Sequence, residues 1–187
     1  KTTGSANTDA LTIADLTLQE LIVSALRDRD PIFQQCQINA EEETGDLLRF
    51  SADAEYTIAI DPIDGTKQFR DKTGSGYAVM LNLRSRDTVH YSLVFLPEAS
   101  ESGSWVEAVG NKIVCGPDDP SATARAVLNS ISPIDPGTRP DSKNIYLIGF
   151  QQLDTERAQL VTDAGLSGFT SDAMPGSIYP LLASGEF

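Results

Sequence analysis

One stretch constrains this chain more than any other: Ile58 to Gln68 reads I-A-I-D-P-I-D-G-T-K-Q. The apolar run Ile58-Ala59-Ile60 has the character of a buried strand, and its end delivers Asp61 and, three residues on, Asp64. Pro62 has no N–H and a fixed φ, so it is expected to stop the strand ladder and turn the chain. Gly65 can take a backbone shape that other residues resist. Thr66 then stands where a helix can start, with its own hydroxyl free. Two carboxylates at a strand end, followed by the N–H groups of Gly65 and Thr66, make a place for a hard cation beside a place for phosphate. A solvated turn accounts for the same Asp, Pro and Gly residues without any chemistry. The rest of the chain has to decide between these readings.

At 187 residues the chain can bury a core, and its length suits one domain or two small ones. No apolar stretch approaches the roughly 20 residues of a membrane span, and no secretory signal is visible. The expectation is a cytoplasmic protein without a membrane partner, although a start at Lys1 leaves room for an upstream segment. Lys and Arg number 14 against 27 Asp and Glu, a net charge of -13. Such a chain repels a nucleic-acid polymer. It would repel a phosphate ester too unless cations stood between them, which agrees with carboxylates that bring Mg²⁺; an acidic surface can also serve solubility alone. Cys36 and Cys115 show no metal spacing and read as free core thiols. His90 is the only histidine, which excludes a histidine triad and a His-rich zinc site.

Along the chain, Asp15 opens an amphipathic helix with apolar residues at 16, 18, 21, 22 and 26, ended by Arg27 to Pro31. Asp15 itself reads as a helix N-cap or as a functional carboxylate, and the two roles are compatible. Residues 37–40 suit a short strand leading into Glu41-Glu42-Glu43, and residues 56–60 the buried strand. Two hairpins follow, 77–83 with 88–96, and 104–109 with 112–115 around Gly110-Asn111. Residues 121–129 look helical with Ser121 as cap, and 131–143 read as a linker. Then come a strand at 145–150, a helix at 154–164 and a last helix at 177–183. This order predicts a layered mixed α+β fold. Its domains are expected at 1–130, carrying the metal-binding motif, and at 144–187, an incomplete α/β part.

Four pieces line up: Asp15 in T-I-A-D, Glu41-Glu42-Glu43 after a short strand, D-P-I-D-G-T at 61–66, and a hairpin containing Y-S-L-V-F-L-P. Together they resemble the inositol monophosphatase superfamily of Mg²⁺-dependent, lithium-sensitive phosphatases. The stretch G-S-I-Y-P-L-L-A-S-G-E at 176–186 is similar to that family's Gly-Ser helix. The resemblance implies a sugar-phosphatase-like αβαβα layering with a mixed, mainly antiparallel sheet, and two or three Mg²⁺ ions. Glu41 would be a metal ligand, Asp61 would bridge two metals, Ile63 would lend its carbonyl and Asp64 would bind the second metal. Thr66, paired with Asp15, would orient and activate the attacking water. The N–H groups of Gly65 and Thr66 would hold the phosphate, and Ser177 would contact the substrate. Glu42 and Glu43 read as a solvated acidic loop. Family members are often homodimers, but no stretch here marks an interface.

The chain also departs from the family's pattern. The last signature, a Trp-Asp that supplies a further ligand, does not occur: Trp105 is not followed by Asp. The family's first long helix has no counterpart after Lys1. Lys67 and Phe69 resemble the branch that hydrolyses 3′-phosphoadenosine 5′-phosphate, whereas Tyr179 and Ile148–Gln151 do not. The expected substrate is therefore a small phosphorylated metabolite, either that nucleotide or an inositol or sugar phosphate. The alternative is a non-catalytic descendant that binds a metal or a phosphorylated ligand on the same fold.

Overall fold

The computed structural model describes residues 12–72, 76–138, 140–147, 153–170 and 178–187. Helix α1 (Ile13–Arg29) opens it with a capping box. The Thr12 side chain accepts from the N–H groups of Ala14 and Asp15, and the Asp15 carboxylate accepts from the Thr12 N–H. This reciprocal pair satisfies donors that a first helical turn leaves without partners. The N-cap is thus Thr12, and Asp15 is the third helical residue, because a T-x-x-D sequence places hydroxyl and carboxylate one turn apart. The helix also runs past Arg27, and Arg27 and Arg29 suit the negative end of its dipole.

The buried stripe of α1 differs from the one its leucines predict. Asp15, Gln19 and Val23 are buried, four residues apart on one face, whereas Leu16 and Leu21 are 38% and 63% exposed. Ile22 and Leu26 do reach the core. The polar pair faces inward because both members find hydrogen-bond partners there.

Six strands follow: β1 (Gln37–Ala40), β2 (Thr57–Asp64), β3 (Ala78–Arg84), β4 (Val89–Leu96), β5 (Ser104–Val109) and β6 (Lys112–Pro117). They form one sheet in sequence order. The β1–β2 pair is parallel and every later pair antiparallel, the mixed and mainly antiparallel sheet that the sequence predicts. Val23, Phe50, Ile58 and Ile60 make the core between α1 and one sheet face, with Ile22, Leu26, Leu81 and Leu83 packed against them. Burying a side chain such as Ile58 is worth about 1.5–3 kcal/mol. On the opposite face Ala78, Val94 and Leu96 are covered in part by Tyr179 of helix α5 (Tyr179–Ser184).

Pro62 does not end β2, which runs on to Asp64. Instead the register slips: Asp61 pairs with Met80 and Asp64 with Ala78, so β2 carries one extra residue there. A bulge is where a residue without an N–H can sit in a strand. Helix α2 (Thr66–Asp71) follows at once, as expected. Helix α3 (Ala124–Ser130) is capped by Thr123, whose side chain accepts from the Ala126 N–H. Ser121 is not the cap, since its hydroxyl bonds Asp119. A second sheet pairs β7 (Asn144–Tyr146) in parallel with β8 (Ser167–Phe169) across helix α4 (Thr155–Asp163). Strand β8 was not expected, being three residues with glycine at the centre. Of the strand expected at 145–150, residues 148–150 lie outside the described residues. Among the described residues no helix is long and apolar enough to cross a membrane.

Candidate active site

The bulge in β2 leads into Gly65, whose φ of 83° and ψ of 29° lie in the left-handed region that favours glycine. That turn delivers Thr66 to the start of α2, where it is buried. Its hydroxyl lies 2.7 Å from the Ile63 carbonyl and 3.2 Å from Asp15 Oδ1. A hydroxyl has one proton, so these two acceptors share it, and its lone pairs remain open to a donor such as water. Asp15, only 1% exposed, is held from the other side. Its Oδ2 accepts from the Thr12 N–H at 2.7 Å and from the Thr12 hydroxyl at 2.6 Å. One carboxylate oxygen is therefore fixed, and the other faces Thr66.

The carboxylates come from two neighbouring strand ends. Because β1 and β2 are parallel and Ala40 pairs with Ile60, Glu41 just past the end of β1 and Asp61 within β2 stand side by side. Asp61 Oδ1 is buried without a hydrogen-bond partner. Burial, and then the charges of Glu41 and Asp64, push the Asp61 carboxyl up to about 8. Glu41 is raised as well, by loss of solvent and by the charges of Glu42, Asp15 and Asp64. Every charge acting on the pair is negative. Hard oxygen donors with surplus negative charge and an orphaned carboxylate oxygen suit Mg²⁺. Among the described residues, no three His, Cys, Asp or Glu side chains are gathered closely enough to hold a metal as they stand. The donor chemistry fits the ion although three donors have not converged on one point.

Beside Glu41 and Asp61 opens a cavity of about 250 Å³. Strand register lays Asn39, Ala59, Asn82 and Ser92 in one row across four strands, and all four line it. Tyr179 is a further wall, and Asn82 Oδ1 is buried without a partner. Thr12, Gln19, Asn39, Asn82 and Ser92 are polar residues here that motif reading passed over. The T-x-x-D capping box was legible for Thr12; a single Asn among the leucines of β3 carried no comparable signal. Ser177 lies outside the described residues. Cys36 and Cys115 are free and half-buried, with both thiols pushed up by burial, so neither has the character of a nucleophile. His90 sits in an exposed hairpin, 2.9 Å from Ser85 Oγ.

The sequence model of the inositol monophosphatase family matches residues 1–139, about three quarters of the chain. The chain belongs to the inositol monophosphatase family. Solved structures share the fold. CysQ from Bacteroides thetaiotaomicron, a bacterial member of the family, superimposes with a TM-score of 0.63 at 21% identity, over 98% of this chain and 67% of its own. A staphylococcal IMPase-I complexed with products gives 0.65 at 19%, over 100% of this chain and 62% of its own. An IMPase/NADP phosphatase complexed with Mg²⁺ and phosphate gives 0.61 at 18%, over 95% and 59%. The chain thus spans about two thirds or less of the length of these family members. A search of curated proteins finds no match.

Proposed function

We propose that this inositol monophosphatase family chain carries the water-activating and metal-binding half of a Mg²⁺-dependent phosphomonoesterase acting on a small phosphorylated metabolite. The observation that carries the reading is the buried Asp15–Thr66 pair, placed next to the bulge that presents Asp61 and Asp64. In this reading Glu41, Asp61, the Ile63 carbonyl and Asp64 hold two or three Mg²⁺ ions. The Ile63 carbonyl accepts the Thr66 hydroxyl and keeps a second lone pair. Bound Mg²⁺ supplies a lowered water pKa and offsets the charge of the phosphoryl oxygens.

The chain's own residues do the rest. Thr66 accepts a hydrogen bond from the attacking water and relays its proton towards Asp15 Oδ1, whose partner oxygen Thr12 holds still. The N–H groups of Gly65 and Thr66 receive phosphate oxygens. Water adds to phosphorus, the P–O bond to the alcohol breaks with its electron pair going to the leaving oxygen, and that oxygen takes a proton from solvent while Asp15 gives back the one it received; one water is consumed. The cavity floored by Asn39, Asn82 and Ser92 takes the alcohol part of the ester, whose hydroxyl groups supply the donor that Asn82 Oδ1 lacks.

The rival reading is a binding module that keeps the fold without turnover. Phosphate release from inositol 1-phosphate and from 3′-phosphoadenosine 5′-phosphate, each with and without Mg²⁺, decides. Mg²⁺-dependent release from either ester supports the enzyme, and the preferred ester identifies the substrate class. No release from either, by a folded sample, leaves the binding module.

A further inference from the structure

Helix α1 reaches the site twice. Asp15 meets Thr66, and one turn further on Gln19 meets the acidic loop after β1. Gln19 is 0% exposed. Its Nε2 donates to the Glu42 carbonyl at 2.6 Å, and its Oε1 accepts from the Glu42 N–H at 2.9 Å. One side-chain amide therefore pairs with both backbone groups of a single residue, much as a neighbouring strand would. The β1–β2 ladder ends at Ala40, so Gln19 takes over where strand pairing stops. Two parallel bonds fix both the position and the rotation of the peptide that follows Glu41.

We infer that Gln19 is a positioning residue for Glu41: by clamping Glu42 it sets the direction in which the Glu41 carboxylate leaves β1. Asp15 and Gln19 lie about one helical pitch apart on one face of α1, roughly 5.4 Å. The same rigid helix thereby sets Thr66 and the Glu41 loop at a fixed spacing. A neutral amide suits this place. A carboxylate at position 19 could not donate to the Glu42 carbonyl, and it would place a further negative charge beside Glu41 and Glu42. The inference rests on the metal reading of Glu41 and goes beyond it, since a buried glutamine could also serve only to fill and satisfy the core.

The test is Mg²⁺ binding to the metal-free protein by titration calorimetry, for wild type, Gln19→Met and Val23→Ala. Gln19→Met keeps length and helix propensity but removes both bonds. Val23, equally buried one turn on, packs in the core cluster with Phe50, Ile58 and Ile60 and makes no side-chain hydrogen bond, so Val23→Ala measures what lost packing alone does. Residues that orient a metal ligand typically change affinity by about 10–100-fold. Gln19→Met is expected to weaken Mg²⁺ binding at least about tenfold, while Val23→Ala stays near wild type despite a lower melting temperature. If Gln19→Met binds Mg²⁺ as well as Val23→Ala does, the clamp is structural only and the inference falls. Should Gln19→Met not fold, Gln19→Asn, a neutral amide one methylene too short to reach both Glu42 groups, is judged by the same comparison. A wild type that binds no divalent cation overturns the metal reading of Glu41 itself, and the inference with it.

Discussion

Asp61→Asn should make the metal-free protein more stable while ending its response to Mg²⁺. In the folded chain, burial and the charges of Glu41 and Asp64 push the Asp61 carboxyl up to about 8; in the unfolded chain it titrates near ~3.9. A carboxyl raised on folding contributes stability that is complete below about pH 4 and is lost as pH climbs through about 8. At ~1.4 kcal/mol per pH unit the whole displacement is on the order of 5 kcal/mol. Glu41 and Asp61 titrate as a pair, so removing one charge recovers a part of this, roughly 2 kcal/mol at alkaline pH. For a chain of this size that is a rise in melting temperature of about 4–8 °C. The assay is thermal melting in EDTA at about pH 5 and about pH 8.5, then again with millimolar Mg²⁺. Wild type should lose stability between the two pH values in EDTA and regain it with Mg²⁺; Asp61→Asn should melt higher than wild type at the alkaline pH and gain nothing from the ion. An Asn variant that melts at or below wild type in alkaline EDTA would refute the argument that like-charge repulsion strains this edge.

Three further expectations follow from the geometry. Thr66→Val keeps the shape but not the hydroxyl that links Asp15 to the Ile63 carbonyl, and should slow phosphate release by about 10²-fold or more with the fold intact by circular dichroism; near-normal turnover would remove Thr66 from the proton path. Asp64→Asn should abolish turnover with little change in melting temperature, and retention of a substantial rate would strip Asp64 of its proposed role as a ligand. Burial and a bond to Glu107 push the Tyr91 phenol up to about 12, above the ~10 of an unfolded tyrosine. Stability should therefore fall as pH rises from about 10 through 12, and Tyr91→Phe should delete one late step from the phenolate absorbance titration.

The sheet was legible because its strands alternate and its hairpins turn on recognisable residues, such as Gly110 with φ 58°. Thr66 at the start of a helix was legible as well, since only a glycine before it suits the turn. The inward face of α1 was not. Periodicity assigns leucines to the core, but here Asp15 and Gln19 hold the buried stripe because Thr12, Thr66 and the Glu42 backbone wait there as partners. Partners distant in sequence leave no local trace. The same limit hid the polar row under the cavity: Asn39, Asn82 and Ser92 become neighbours only when register is set. Pro62 misled for a different reason, since a missing N–H rules out a regular ladder but permits a bulge.

The one parallel step in the six-stranded sheet has a consequence for how the protein assembles. Strands β3 to β6 join through short hairpins, whose closure costs little entropy. Pairing β1 with β2 requires the long crossing from Glu41 to Tyr56, and bringing Asp15 to Thr66 spans 51 residues. Long-range contacts of this kind form late and are the first to be given up in local opening. The edge that carries Glu41, Asp61 and Thr66 is thus the last to close, and recovery of activity after denaturation should trail recovery of the sheet's circular dichroism.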